Sequence, residues 1–397
     1  MKILIDENIP YAESFFCDLG EVERFAGRGL NPAQLVDVDV LLVRSITKVN
    51  AELLTQANRL KFVGTATIGE DHIDKQLLAQ KGIYFTSAPG CNANSVAEFV
   101  INVMLVLAET HQLSLSDKVV SIIGVGNIGS RLKAKLDVLN IELRLCDPYK
   151  SGPEFTSLEK ALKEGDIISF HTPLTKEGEH PTFHLLNEHN LALLKDDVCL
   201  INASRGEVID NKALLAHIEQ RKTSNRPAIK LALDVWEGEP EPMVELIPHS
   251  TLCSAHIAGY SLEGKAKGTE ILYRHVCEQF GFEASHQLQH FLPEADITEV
   301  SLRSSGGNGG SAGNSEQLAE QSIRLEPQAL LKTLIHLVFD VRRDDALFHR
   351  HLANQGFDWI RKNYPVRREW SSLTVKSDNP NLSEKLTQLG FNTESIV

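Results

Sequence analysis

Positive charge is scarce in this chain: 40 lysines and arginines stand against 53 aspartates and glutamates, a formal net charge of −13. So acidic a chain lacks the basic face that a nucleic acid or an anionic membrane surface requires, and neither is expected as a main partner. No apolar run reaches the roughly 18 residues a membrane-crossing helix needs. The opening "MKILIDENIP" has neither the apolar stretch nor the small-residue cleavage site of a signal peptide, so a cytoplasmic protein is expected. Paired cysteines are missing too. Cys17, Cys91, Cys146, Cys199, Cys253 and Cys277 are scattered, several in or beside apolar strands, and read as reduced core thiols rather than a disulfide or zinc framework. His180 and His184, with His189 beyond, find no cysteine or acid at a recognisable ligand spacing, so no metal is expected. What is present is ordinary globular material, 42% hydrophobic and 23% charged, in a 397-residue chain too long for one core. Two or three domains are expected, and there is no internal repeat.

The most informative run is "VVSIIGVGNIGSRL" followed by "IELRLCDPYK": strand, glycine turn, helix, and a second strand closed by a carboxylate. Gly124, Gly126 and Gly129 form G-x-G-x-x-G. The first permits the sharp turn, the second lets backbone approach a pyrophosphate, and the third lets the helix pack close to the strand. Phosphate then sits on the unpaired N–H groups of the helix N-terminus. Asp147 can accept both ribose hydroxyls and repel a 2′-phosphate, which favours NAD over NADP. A turn that used glycine only for packing would leave the placement of Asp147 unexplained.

Along the chain, "KILID", "VDVLLVRS", "LKFVGTAT" and "GIYFTS" are strand candidates alternating with polar helices, the pattern of a parallel sheet covered on both faces. "NSVAEFVINVMLVLAET" reads as a long apolar helix with Asn94 or Ser95 as N-cap and Glu98 in its first turn. Strands then recur in "DIISFHTPL", "DVCLINASRG", "IKLALDVWEGEP" and "STLCSAHIAGY". A helix from Tyr260 onward returns to the first domain, making it discontinuous. "RSSGGNGGSAGNSEQ" reads as a flexible loop, "ALLKTLIHLVFDVRRDDALFHRHL" as one amphipathic helix, and the remainder as a third, smaller module.

Polar residues gather at the carboxyl ends of these strands, where open α/β sheets bind ligands. Arg205 in "NASRG" is a fixed cation suited to a bidentate grip on a substrate carboxylate, or equally to a salt bridge with a neighbouring loop. Glu239 in "DVWEGEP" and His256 in "SAHIAG" form a candidate acid/base pair, the carboxylate fixing the imidazole tautomer and stabilising imidazolium. Taken singly, each fits a core or turn residue as well. Asp234 is placed to accept from the nicotinamide carboxamide, or to act as an ordinary turn aspartate. Thr172 and Pro173 in "HTPLT" would shape the adenosine side.

These ordered motifs, G-x-G-x-x-G with its downstream Asp, H-x-P-L-T, N-x-x-R-G, D-V-x-x-x-E-P and His-Ile-x-Gly, resemble the D-isomer-specific 2-hydroxyacid dehydrogenase family over roughly residues 1–285. The resemblance implies an α/β fold: two doubly wound parallel-sheet domains, a flavodoxin-like substrate domain (1–95 with 260–285) and a Rossmann NAD domain (96–259). A small α+β dimerisation domain follows at 286–397. It implies Arg205, Glu239 and His256 as the catalytic set, with NAD contacts at Asn127, Ile128, Asp147, Thr172, Pro173, Ala203, Asp234 and Gly259. Substrate contacts are implied at Ser45, Thr67 and Tyr260. Runs such as "GTATIGEDHID", "HIAGYSLEGKAKGTE", "LVFDVRRDDA" and "RKNYPVRREWSSL" resemble a branch acting on a small phosphorylated 2-hydroxy acid as a homodimer. Arg44, beside Ser45, and the pair Arg342–Arg343 on the third module are candidates for the distal phosphate. Another small 2-hydroxy acid such as 3-phosphoglycerate or glycerate, or a non-catalytic NADH-sensing corepressor, are the other readings.

Overall fold

The computed structural model describes residues 1–303 and 327–396; the glycine-rich insertion at 306–313, expected as a loop, lies outside the described residues. The chain forms two compact units, Met1–Val96 with Gly259–Pro293, and Ala97–Ala258 with Glu294–Val397.

In the first unit, strands β1 (Lys2–Asp6), β2 (Glu21–Phe25), β3 (Val40–Val43), β4 (Phe62–Thr65) and β5 (Tyr84–Thr86) form a parallel sheet in the order β2-β1-β3-β4-β5, the flavodoxin-like arrangement. Strand side chains alternate between faces, and both faces here are dry. Ile3 and Ile5 join a core with Phe15, Phe16 and Leu272, while Leu4 joins Leu41, Val43 and Val63 in a second core. Each such side chain contributes about 1.5–3 kcal/mol of burial. Helix Leu262–Phe280, on the returning segment, lies so close to β4 that a Cβ on Gly64 would come within 2.9 Å of Leu272 Cδ2. β2, "EVERF", was not among the expected strands: it is an edge strand, mostly exposed and charged, without the apolar run of its neighbours.

In the second unit β6 (Val119–Ile123), β7 (Glu142–Cys146), β8 (Ile167–Phe170), β9 (Cys199–Asn202), β10 (Lys230–Leu233) and β11 (Ser250–Cys253) form a parallel sheet ordered β7-β6-β8-β9-β10-β11. The order reverses between β6 and β8, and their carboxyl ends form the crevice where doubly wound sheets bind ligands. The C-terminal residues, expected as a third domain, pack into this unit: Phe348, Phe357 and Ile360 belong to the same core as Phe170, Leu200 and Trp236. Glu98 and Lys135 make a buried ion pair at 3.4 Å, and Glu98 also accepts the Trp370 N–H at 2.9 Å. Within this unit β12 (Glu299–Leu302), β13 (Thr374–Ser377) and β14 (Asn392–Ser395) form a small parallel sheet of their own.

Two local expectations are corrected. The long apolar helix starts at Ala93, so Asn94 and Ser95 lie inside it, and the Ser95 hydroxyl accepts the Ser261 N–H. The single amphipathic helix is two, Pro327–Val338 and Arg342–Gln355. Asp340 accounts for the break: its carboxylate accepts both the Arg342 N–H at 3.0 Å and the Arg342 guanidinium, pulling the chain out of the helical ladder. Five of the six cysteines are buried; Cys17 is exposed.

Candidate active site

The glycine turn follows β6. Gly124 has φ +90°, and a Cβ there would lie 2.8 Å from the His171 carbonyl at the end of β8. A Cβ on Gly129 would lie 2.1 Å from the Gly124 oxygen, so this glycine lets helix Asn127–Val138 sit against the strand. Around Gly126 a Cβ would meet nothing within 4 Å, and both Gly126 and Asn127 are exposed, with Ile128 half-buried. No side chain caps the helix, leaving its first N–H groups for an anion. Asp147 closes β7 beside this turn: Oδ2 accepts the Val125 N–H at 3.0 Å and Oδ1 the Tyr149 N–H at 3.1 Å. On the β8 side, Thr172 Oγ1 and His171 Nδ1 are buried polar atoms without a partner among the described residues, and burial pushes the His171 pKa down to about 3, so its imidazole is neutral. Pro173 follows, its carbonyl accepting from the Thr182 hydroxyl at 2.6 Å. Phosphate-ready N–H groups, a carboxylate at the end of β7 and unsatisfied polar atoms form a set that fits a dinucleotide.

The acid/base pair assembles at the ends of β10 and β11. Glu239 Oε2 lies 2.8 Å from His256 Nδ1, and Oε1 accepts the Trp236 N–H at 2.9 Å, so the carboxylate is fixed at both oxygens. Burial alone would raise the Glu239 pKa, but the His256 charge and hydrogen bond, the Trp236 N–H and the Arg361 charge together bring it below the ordinary carboxylate range. It therefore stays an anion facing the ring. His256 has φ +56°, a left-handed backbone uncommon for a non-glycine residue, and its N–H reaches the Asp234 carbonyl at 2.6 Å.

The Asp234 carboxylate supports this loop. It is 2% exposed; Oδ1 accepts from the Ser254 hydroxyl at 2.6 Å and the Ile257 N–H at 2.8 Å, and Oδ2 from the Ala258 N–H at 3.0 Å. Three of its roughly four acceptor positions are thus used by the protein itself. Arg205 follows β9 with Ala203, which is buried; its carbonyl accepts from Asn202 Nδ2 at 2.9 Å, and its guanidinium reaches the Ser204 carbonyl at 2.8 Å. Gly206 has to be glycine, because a Cβ would lie 1.9–2.4 Å from the backbone of Trp236 and Glu237.

The expected substrate residues belong to the first unit. Ser45 is exposed just past β3, and Thr67, just past β4, donates to the Gly69 carbonyl at 2.9 Å and touches Thr65 Oγ1 at 2.7 Å. Gly259 packs on Asn92, leaving no room for a Cβ. Tyr260 carries two cations on its ring, Arg44 Cζ at 5.7 Å and Lys265 Nζ at 5.5 Å. Lys265 was not foreseen, since nothing in "SLEGKAKG" separates it from a solvated helix lysine. Arg342 is bound to Asp340 and Glu109, and Arg343 to Tyr364 and Asp344. His184 meets two distant acids, Glu237 at 2.8 Å and Asp210 at 3.4 Å, one on each ring nitrogen. Sequence spacing could not show that grouping.

A family model described as D-isomer specific 2-hydroxyacid dehydrogenase, NAD binding domain, matches residues 103–258, and a domain of unknown function matches 314–390. The chain is 49% identical over 395 residues to the erythronate-4-phosphate dehydrogenase of Pseudoalteromonas translucida, covering 98% of this chain and 99% of that one. It is 47% identical over 397 residues to that of Proteus mirabilis, covering 99% of each. Among solved structures, D-lactate dehydrogenase from Aquifex aeolicus, complexed with NAD and lactic acid, aligns at TM-score 0.57 and 26% identity over 70% of this chain and 96% of that one. A 3-phosphoglycerate dehydrogenase of Entamoeba histolytica with bound NAD+ shares the fold, at TM-score 0.59 and 23% identity over 71% of this chain and 95% of that one.

Proposed function

This chain belongs to the erythronate-4-phosphate dehydrogenases of the D-isomer-specific 2-hydroxyacid dehydrogenase family, and on that premise we propose how its own residues carry the reaction. The enzyme oxidises the C2 hydroxyl of 4-phospho-D-erythronate to (R)-3-hydroxy-2-oxo-4-phosphooxybutanoate, a step of pyridoxal 5′-phosphate biosynthesis. NAD, when bound, supplies the hydride acceptor. Gly124, Gly126, Asn127, Ile128 and Gly129 would hold its pyrophosphate, Asp147 its ribose, and Thr172 with Pro173 the adenosine side, with Ala203, Asp234 and Gly259 completing the contacts.

His256 in its neutral form takes the C2 hydroxyl proton, and the Glu239 anion on Nδ1 keeps Nε2 as the accepting nitrogen and stabilises the imidazolium formed. Arg205 holds the substrate carboxylate. Ser45, Thr67 and Tyr260 supply further substrate contacts, and the phosphate falls to Arg44 and Lys265, whose charges flank the Tyr260 ring. Arg342 and Arg343 are less suited, because each already serves a carboxylate of its own unit. We place the enzyme in the cytoplasm as a homodimer formed through the C-terminal residues.

The observation that carries this reading is the 2.8 Å Glu239–His256 pair standing in one unit with the glycine turn. The test is NADH absorbance with NAD and a panel of hydroxy acids. Turnover is expected with 4-phosphoerythronate, well above 3-phosphoglycerate or glycerate. Faster turnover of either competitor would reassign the substrate, and no reduction with any acid would favour the NADH-sensing alternative.

A further inference from the structure

The loop carrying His256 is gripped from outside as well as from within. Cys253 ends β11, an edge strand whose outer N–H groups have no neighbouring strand among the described residues, and its N–H is taken by Asp345 Oδ1 at 2.8 Å. The Ser254 carbonyl accepts from Trp236 Nε1 at 2.9 Å, and the Trp236 ring stacks on Phe348 with centroids 5.3 Å apart and planes 8° from parallel. The Ala258 carbonyl accepts from the Arg367 guanidinium, itself 3% exposed and lying against the rings of Phe339 at 4.9 Å and Phe99 at 5.7 Å. Asp345, Phe348 and Arg367 all fall within the C-terminal segment that a family model matches as a domain of unknown function. Asp345 and Arg367 reach the backbone on both sides of a histidine whose left-handed φ needs holding.

We propose that Asp345 and Arg367 are positioning residues for the reaction, fixing both ends of the His256 loop so that the imidazole keeps its place on Glu239. The proposal rests on His256 being the base. A fixed loop keeps the proton acceptor in one attack geometry, and displacement of about 1 Å is enough to cost about 100-fold in rate. Neither residue is assigned a contact with substrate or coenzyme. Their loss therefore falls on kcat and spares coenzyme binding.

The test uses the full-length enzyme with NAD and 4-phosphoerythronate. Arg367→Met removes the donor but keeps an apolar stem against the two rings; Arg367→Lys restores a cationic donor. Asp345→Ala removes the acceptor, and Asp345→Asn retains Oδ1 for the Cys253 N–H. Expected are falls in kcat of roughly 10- to 100-fold in the Met and Ala variants, with substantial recovery in Lys and Asn. The dissociation constant for NADH, read from fluorescence, should stay within about twofold in all four. Unchanged kcat in folded Arg367→Met and Asp345→Ala overturns the proposal. So does a parallel loss of kcat, NADH affinity and melting temperature that Asp345→Asn fails to rescue, since that is the mark of a purely structural role. If Arg367→Met does not fold, the Asp345 pair decides alone. His256→Ala separates the two claims: an active His256→Ala enzyme sinks the catalytic reading, whereas an inactive one beside fully active positioning variants sinks only this proposal.

Discussion

The carboxyl ends of the two large parallel sheets differ in how their polar groups are held. Past β9, β10 and β11, Asn202, Asp234, Glu239 and His256 are joined to each other or to backbone by bonds of 2.6–3.1 Å, and nearly every side-chain oxygen there serves a named donor. Past β3 and β4, Ser45 is exposed and the cations Arg44 and Lys265 lie on the faces of one tyrosine. Architecture is shared; fixation varies by residue, since Thr67 is tied to Gly69 and Thr65 and Arg44 donates to the Asn8 carbonyl at 3.1 Å, whereas Ser45 is exposed. Proton transfer demands a donor and acceptor already in place, whereas gripping a flexible phosphorylated acid tolerates long side chains that adjust on contact.

Three experiments press on this contrast. The largest effect is expected at the fixed end: His256→Ala should lower kcat about 100- to 10,000-fold while NADH still binds, and loss of coenzyme binding instead would mean that the loop serves recognition. At the adjustable end, Arg44→Ala and Lys265→Ala should each raise KM for the phosphorylated substrate about tenfold with kcat little changed, as expected for losing one charge-assisted contact of about 1.5 kcal/mol. An unaltered KM would dissolve the distinction between the two ends. The smallest effect concerns the stability cost of fixation. Glu239 has a folded pKa below its unfolded one, so it contributes stability above the ordinary carboxylate range and loses it as pH falls through the folded value. Glu239→Gln should therefore melt below the wild type near neutrality, with the gap closing on acidification; a widening gap would reverse the sign.

Much of this was legible beforehand because it was local. G-x-G-x-x-G with Asp147, and the strand-end placement of Arg205, Glu239 and His256, need only neighbours in sequence, and the apolar runs of β1, β3, β4 and β6 announce sheets dry on both faces. Residues acting at long range left no trace. Asp345 lies 92 positions from the Cys253 it bonds, and Arg367 lies 109 from Ala258. In "RREWSS" an arginine destined for burial beside two stacked phenylalanines looks like any surface charge. Asp234 was legible as a strand-end acid, but its bonds to the Ile257 and Ala258 N–H groups required the fold.

Asp147 has a practical corollary for redesign. The carboxylate proposed to hold the ribose also anchors Val125, inside the glycine turn, and Tyr149 just beyond it. Swapping it for a small neutral side chain to admit a 2′-phosphate would strip two backbone donors of their acceptor at once, loosening the very turn meant to cradle the pyrophosphate. On the proposed role of Asp147, coenzyme preference is wired into the loop's own scaffold, and re-engineering it calls for a replacement acceptor supplied together with any new cation.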